Sequence, residues 1–159
     1  AWTECLRQRV REAARAAQPL CVLFFDLDRF KSLNDNFGHR AGDDALLAFA
    51  ATLRDPLPPR VEVGRYGGEE FTVALPGCGL EQAQRYAARV RRRLQDLGIA
   101  VDAGGQPLTV SVGIAALAPG EDVAALIARA DAAMYAAKGA GRDCVMLAEA
   151  PAVAVAATR

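Results

Sequence analysis

Two pairs of acids stand out in this chain, because each sits where folding alone gives an acid little reason to be. Asp26 and Asp28 close the apolar run Leu20-Cys21-Val22-Leu23-Phe24-Phe25, and Glu69 and Glu70 follow Gly67-Gly68. A carboxylate inside a sheet is costly unless paired or bound to a cation, so the first pair marks where a buried strand emerges. Alternation along that strand puts Asp26 and Asp28 on one face and Leu27 on the other. Capping of a helix that begins near Arg29-Phe30 would account for Asp28 but not for Asp26. The second pair lies at or just past a turn, where like charges on neighbouring strands are normally avoided. A divalent cation would reconcile both pairs, since Mg²⁺ takes a few carboxylates together with phosphate oxygens. A solvated hairpin tip is the alternative for Glu69 and Glu70.

The elements that must position these acids are readable from periodicity. Val61, Val63 and Tyr66 lead into the turn and Phe71, Val73 and Leu75 lead out, which predicts a hairpin of about 60–66 and 70–75. Gly67-Gly68 is expected to supply the positive φ of a tight turn. Residues 20–27 read as a buried central strand. Helices are expected over 3–17, about 29–36, 41–53, 80–97 and 123–138, with strands over 108–117 and 144–147. Ile99–Val101 reads as a short edge strand, Pro56, Pro58 and Pro59 as a loop, and the Ala-rich residues 148–159 as a flexible tail. Asp131 and Tyr135, at i and i+4 on the last helix, read as structural. The order predicts an α/β (α+β) protein with a mainly antiparallel central sheet flanked by helices.

Composition narrows the classes. The chain has 159 residues, 52% of them hydrophobic, so a single domain over 1–147 can bury a real core. Nineteen basic and 19 acidic residues give no net charge, which argues against nucleic acid as a partner. Arg85, Arg89, Arg91, Arg92 and Arg93 on one helix read as a solvated face. No apolar stretch reaches the roughly twenty residues of a membrane span, and there is no signal-peptide pattern. Four cysteines without metal-ligand spacing fit a reducing, cytoplasmic compartment.

With these residues in place, the chain resembles the GGDEF family of diguanylate cyclases. The signature loop reads Gly67-Gly68-Glu69-Glu70-Phe71. Around it stand Phe25-Asp26-Leu27-Asp28-Arg29-Phe30-Lys31, Asn34-Asp35, Gly38-His39, Gly42-Asp43, Ala130-Asp131, Tyr135, Lys138 and Gly141-Arg142. The resemblance runs over roughly residues 3–147. It implies a palm-like nucleotide-cyclase fold in which the end of the first strand and the hairpin tip are neighbours. It also implies that a Leu-Thr-Gly-Leu…Asn-Arg stretch and a sensory or regulatory domain would precede the first residue.

The resemblance further implies a reaction and its residues. Each subunit would bind one GTP, and a transient homodimer would condense two into cyclic di-GMP with loss of pyrophosphate. Asp26, the Leu27 carbonyl and Glu69 would hold Mg²⁺ (or Mn²⁺), with Glu69 or Glu70 as proton acceptor. Asn34 and Asp43 would read the guanine edge, His39 would lie near the base, and Lys31, Lys138 and Arg142 would hold the phosphates. Asp28 would cap a helix or support the site from behind. The Arg-x-x-Asp positions of a product-inhibition site hold Pro58 and Val61, with Arg60 and Glu62 out of register, so no inhibitory site is expected. A catalytically silent GTP-binding regulatory module is the alternative function.

Overall fold

The computed structural model describes residues 1–55 and 61–151. Its elements are α1 (Trp2–Ala16), β1 (Leu20–Leu27), α2 (Phe30–Phe37), α3 (His39–Arg54), β2 (Glu62–Arg65), β3 (Glu70–Pro76), α4 (Leu80–Asp96), β4 (Val110–Ala116), α5 (Val123–Gly139) and β5 (Val145–Leu147). The five strands form one sheet in the order β2-β3-β1-β4-β5, with β1 at its centre. All neighbours are antiparallel except β4 and β5, which run parallel. The expected mainly antiparallel sheet is therefore present, with one parallel edge.

The central run is apolar because both faces of β1 are covered. Cys21, Leu23, Phe25 and Leu27 join α2, α3 and α4 residues such as Leu33, Phe49 and Val90 in one core. Val22 and Phe24 face the other way, against Leu6 of α1 and Leu126, Ala130 and Met134 of α5. Burial of this kind stabilises by about 25 cal/mol per Å² of apolar surface removed from water. Asp26 and Asp28 continue the α5 face, as the alternation required.

Two contacts fix the helices that matter for the site. A Cβ on Gly113 would stand 2.2 Å from both the Ala130 carbonyl oxygen and the Met134 amide nitrogen. Only glycine lets α5 lie this close on β4. On the other edge, the Trp2 indole lies on Gly64 of β2, where a Cβ would come within 2.8 Å of it. Arg9 of α1 also donates to Glu62 of β2.

Three sequence expectations need correction. Ile99–Val101 is not an edge strand of the sheet: Ala100 and Pro107 form an isolated bridge. Val101 N–H donates to Gln106 at 2.8 Å and Leu108 N–H to Ile99 at 2.8 Å, so the segment pairs with its own return. The arginines of α4 are not all solvated, since half-buried Arg91 donates to the carbonyl and carboxylate of Asp143. Nor does the tail begin at 148. Ala148 N–H donates to Ile114 at 2.7 Å and Arg129 holds the Glu149 carbonyl at 2.9 Å. The expected Pro56–Pro59 loop and residues 152–159 lie outside the described residues.

Gly113→Ala should cost at least about 3 kcal/mol, because both obstructing atoms are helix backbone that cannot rotate away. Denaturant unfolding would measure this, and a loss below about 1 kcal/mol would mean that α5 slides freely on β4.

Candidate active site at the end of the central strand

The β1–β3 register sets Asp26 directly opposite Glu70. One step on, the Leu27 N–H donates to the Glu69 carbonyl at 3.2 Å, so the hairpin acids are stitched to the end of β1. The last turn of α5 brings in Lys138. Its Nζ lies 3.1 Å from Asp26 Oδ1, 2.8 Å from Asp28 Oδ1 and 3.5 Å from the Leu27 carbonyl. Asp26, Leu27, Lys31, Glu69, Lys138 and Arg142 all line one cavity of about 490 Å³.

The carboxylates differ in how well they are neutralised. Burial lifts the Asp26 pKa, Glu69 and Asp28 add to the rise, and Lys138 offsets it only in part. Glu70 is raised as well, by burial and then by Asp26, Asp131 and Glu69. Asp28 goes the other way. Burial pushes its pKa up, but donors from Lys138, Ser111, Thr109 and the Asp143 backbone outweigh that, and the net shift is downward. Asp28 is thus a satisfied anion, while Asp26 and Glu70 are desolvated and crowded by other acids more than Lys138 offsets.

Asp28 does not cap α2. The residue before that helix is Arg29, in left-handed backbone at φ 57° and with no side-chain cap. The Asp28 carboxylate turns inward and is 2% exposed. It accepts from Thr109 Oγ1 at 2.7 Å, Ser111 Oγ at 2.7 Å, Lys138 Nζ at 2.8 Å and the Asp143 N–H at 3.0 Å.

The turn after α5 is unusual. Gly141, Arg142 and Asp143 have φ of 110°, 67° and 46° in succession. For the two residues that carry a Cβ, such backbone costs on the order of 1–3 kcal/mol each.

The hairpin tip departs from expectation. Neither Gly67 nor Gly68 adopts left-handed backbone. Instead the Tyr66 and Gly67 N–H groups both donate to the Glu70 carbonyl, at 2.8 and 3.3 Å. The Arg65 guanidinium grips the Gly67 and Gly68 carbonyls at 2.7–3.2 Å. The turn is held by a side chain, so no mirror-image turn is needed. The glycines instead leave bare backbone, since a Cβ on Gly68 would meet nothing within 4 Å.

Asn34 of α2 packs against Gly42 of α3, the residue before Asp43. Asn34 Oδ1 lies over Gly42, 1.8 Å from where a Cβ would stand, and it is a buried acceptor without a hydrogen-bond donor among the described residues. Asp43 lines a neighbouring cavity of about 390 Å³ with Leu46, Leu47, Val63, Arg65 and Phe71. Lys31 is largely exposed and bonds Asp35 at 2.7 Å. His39 is exposed in the first turn of α3 and lines neither cavity. Asp131 and Tyr135 are exposed on α5, and Tyr135 lines the cavity that holds Asp26 and Lys138. Thr109, Ser111, Arg65 and Asp143 carry no sequence expectation, and Arg91 reads there only as one cation of a solvated face. Ser111 between Val110 and Val112 was the one available signal, a hydroxyl inside an apolar strand.

Comparison with known proteins identifies the family and the fold. The family profile described as "Diguanylate cyclase, GGDEF domain" matches residues 1–144. The chain belongs to that family. It is 38% identical over 134 residues to diguanylate cyclase VdcA of Vibrio cholerae, covering 82% of this chain and 40% of that protein. To response regulator PleD of Caulobacter vibrioides it is 39% identical over 140 residues, covering 86% of this chain and 31% of that protein. The chain thus spans well under half the length of these curated relatives. The structure of the active GGEEF domain of a diguanylate cyclase from Vibrio cholerae superposes with a TM-score of 0.86 at 31% identity, covering 94% of both chains. The GGDEF domain of DgcB from Caulobacter crescentus, in complex with c-di-GMP, gives 0.87 at 31% identity, covering 94% of this chain and 87% of that one. The expected palm-like fold is the one observed.

Lys138 occupies a position that a small cation would also favour, because its ammonium sits among hard oxygen donors. Lys138→Met should raise the Mn²⁺ affinity of the nucleotide-free protein by about tenfold or more, by removing a competing charge. Electron paramagnetic resonance titration would show it, and an unchanged affinity would mean that the ammonium does not compete.

Proposed function

We propose that this domain is a diguanylate cyclase, joining two GTP into cyclic di-GMP with release of two pyrophosphates. The observation that carries the reading is the convergence of Asp26, Glu69, Lys138 and Arg142 on one cavity. Two adjacent carboxylates and two cations in one pocket suit the triphosphate of a nucleotide.

Asp26, Glu69 and the Leu27 carbonyl would hold Mg²⁺ or Mn²⁺. The Lys138 ammonium seated against Asp26 and the Leu27 carbonyl supports that fit. Among the described residues no group of three His, Cys, Asp or Glu encloses a metal. This suits an ion that completes its shell with water and phosphate oxygens. Such an ion supplies Lewis acidity, easing loss of the 3′-hydroxyl proton and balancing charge on the phosphorus. Lys138 and Arg142 neutralise the phosphates, with Lys31 at the cavity rim, and Glu69 or Glu70 takes the proton. Burial and neighbouring acids make Glu70 a stronger base than an ordinary glutamate.

Asp43 would accept from the guanine N1 and N2 hydrogens, and the Asn34 amide, whose Oδ1 has no donor among the described residues, would complete the edge, with His39 nearby. The second GTP would arrive on a second copy, facing the first in a transient homodimer. Holding both nucleotides in line removes much of the entropic barrier. Among the described residues no helix is long and apolar enough to cross a membrane. We place the domain in the cytoplasm, where GTP is supplied, and assign it no nucleic-acid partner. A regulatory domain elsewhere in a longer protein would control the encounter. The inhibitory site is proposed to be missing: Val61 is half-buried against the core, and Pro58 and Arg60 lie outside the described residues. Saturable cyclic di-GMP binding that is lost on changing Arg60 would refute this absence.

Concentrated protein incubated with GTP and Mg²⁺ should yield cyclic di-GMP on chromatography. Glu69→Gln/Glu70→Gln should lower the rate by at least about a thousandfold. GTP binding without product, even with a fused coiled coil enforcing the dimer, would establish the silent regulatory module instead.

A further inference from the structure

We infer that Asp28 is a positioning residue, an anchor common to Lys138 and the Arg142 turn that aims both cations at the triphosphate cavity. The inference rests on the cyclase reading, because it assigns those two cations to phosphate.

The geometry of the anchor is divided between two oxygens. Oδ1 accepts from Lys138 Nζ at 2.8 Å and Ser111 Oγ at 2.7 Å. Oδ2 accepts from Thr109 Oγ1 at 2.7 Å and the Asp143 N–H at 3.0 Å. A fifth bond runs from the Asp28 N–H to the Thr109 carbonyl at 2.8 Å. One buried side chain thus joins the end of β1, the entry to β4, the last turn of α5 and the turn that follows it.

Arg142 depends on this anchor through its neighbour. It lies between Gly141 and Asp143, in a run of three positive φ angles that a residue with a Cβ adopts only under constraint. The constraints come from both sides. Asp28 holds the Asp143 N–H, and Arg91 grips the Asp143 carbonyl and carboxylate. The Arg142 N–H itself closes onto the Ala137 carbonyl at 3.0 Å. With both ends pinned, the Arg142 side chain lines the same cavity as Lys138. Lys138 is aimed directly, because its ammonium is shared between Asp28 and the cavity-lining Asp26. Asp28 does not line that cavity, so it acts through the two cations and not on a nucleotide.

The arrangement makes a prediction that a general structural role would not. Losing the anchor should weaken binding of the phosphates and leave binding of the base alone, since Asn34 and Asp43 sit on α2 and α3. The probes are 3′-deoxy-GTP, which lacks the attacking hydroxyl, and guanosine, which lacks phosphates. Calorimetry with Mg²⁺ should show 3′-deoxy-GTP affinity lower by about tenfold or more in Asp28→Asn. The near-isosteric Thr109→Val, which removes one donor and keeps the charge, should lower it about threefold. Guanosine affinity, from NMR titration, should stay within about twofold of the wild type in both. The Asp143 amide proton should move in both variants: upfield in Asp28→Asn, as the charged acceptor is lost, and downfield in Thr109→Val, as Oδ2 is left to the Asp143 N–H alone.

Equal weakening of guanosine and 3′-deoxy-GTP would make Asp28 merely structural and overturn the proposal. Unchanged 3′-deoxy-GTP affinity in Thr109→Val with an unmoved Asp143 amide would overturn it too, even if Asp28→Asn fails to fold. Loss of Mn²⁺ binding without nucleotide in Asp28→Asn, but not in Thr109→Val, would make Asp28 a metal ligand and overturn it. If the wild type bound no 3′-deoxy-GTP, the cyclase reading would fall. The Asp143 amide would then decide by itself whether Asp28 holds the turn.

Discussion

The Lys138 ammonium is the charge on which the end of this sheet depends. The register of β1 against β3 puts Asp26 beside Glu70, and two residues on Asp28 enters the interior on the same face. Like charges opposed across strands destabilise a sheet, and a buried carboxylate needs a partner. Lys138 answers both demands, and it reaches them only because α5 lies unusually close to β4. That closeness depends in turn on Gly113, whose missing side chain lets the α5 backbone at Ala130 and Met134 lie against β4. Packing on the apolar side of the molecule therefore sets the electrostatics of its polar end.

The three carboxylates near Lys138 are not equivalent, and the difference explains how one small region can be both stable and receptive. Asp28 is saturated with donors and holds its proton loosely, so it belongs to the fold. Asp26 and Glu70 hold theirs more tightly than free acids would, because burial strips them of water and neighbouring acids add to that, while Lys138 offsets it only in part. A site whose own cations fall short of its acids is one that gains from an added cation. The fold spends a buried anion on rigidity at one position and leaves two acids under-compensated beside it.

Much of this was legible in the sequence, for local reasons. An uninterrupted apolar run ending in Asp-Leu-Asp announces a central strand and its exit, and the alternation correctly put Asp26 and Asp28 on one face. The alternating residues on either side of Gly67-Gly68 announced the hairpin. What stayed hidden was the set of long-range partnerships. The donors to Asp28 come from Thr109, Ser111, Lys138 and Asp143, more than 80 positions away in sequence, and no local period encodes them. Arg91 looked like one cation in a solvated row because its partner, Asp143, lies 52 positions on. The glycines at the hairpin tip suggested a special backbone, whereas Arg65 supplies the turn's support through its side chain. Local rules found the strands and the acids; the network behind them is a property of the assembled sheet.

Trp2 bears on how the hairpin can be watched. It is the only tryptophan in the chain, and its indole lies on Gly64, three residues before the signature glycines. Its ring nitrogen is buried without a hydrogen-bond acceptor among the described residues. Indole emission responds to the polarity around the ring, so the protein carries an intrinsic optical probe on the outer strand of its own signature loop. Any rearrangement of that strand against α1 would be written in the colour of the fluorescence, with no label attached.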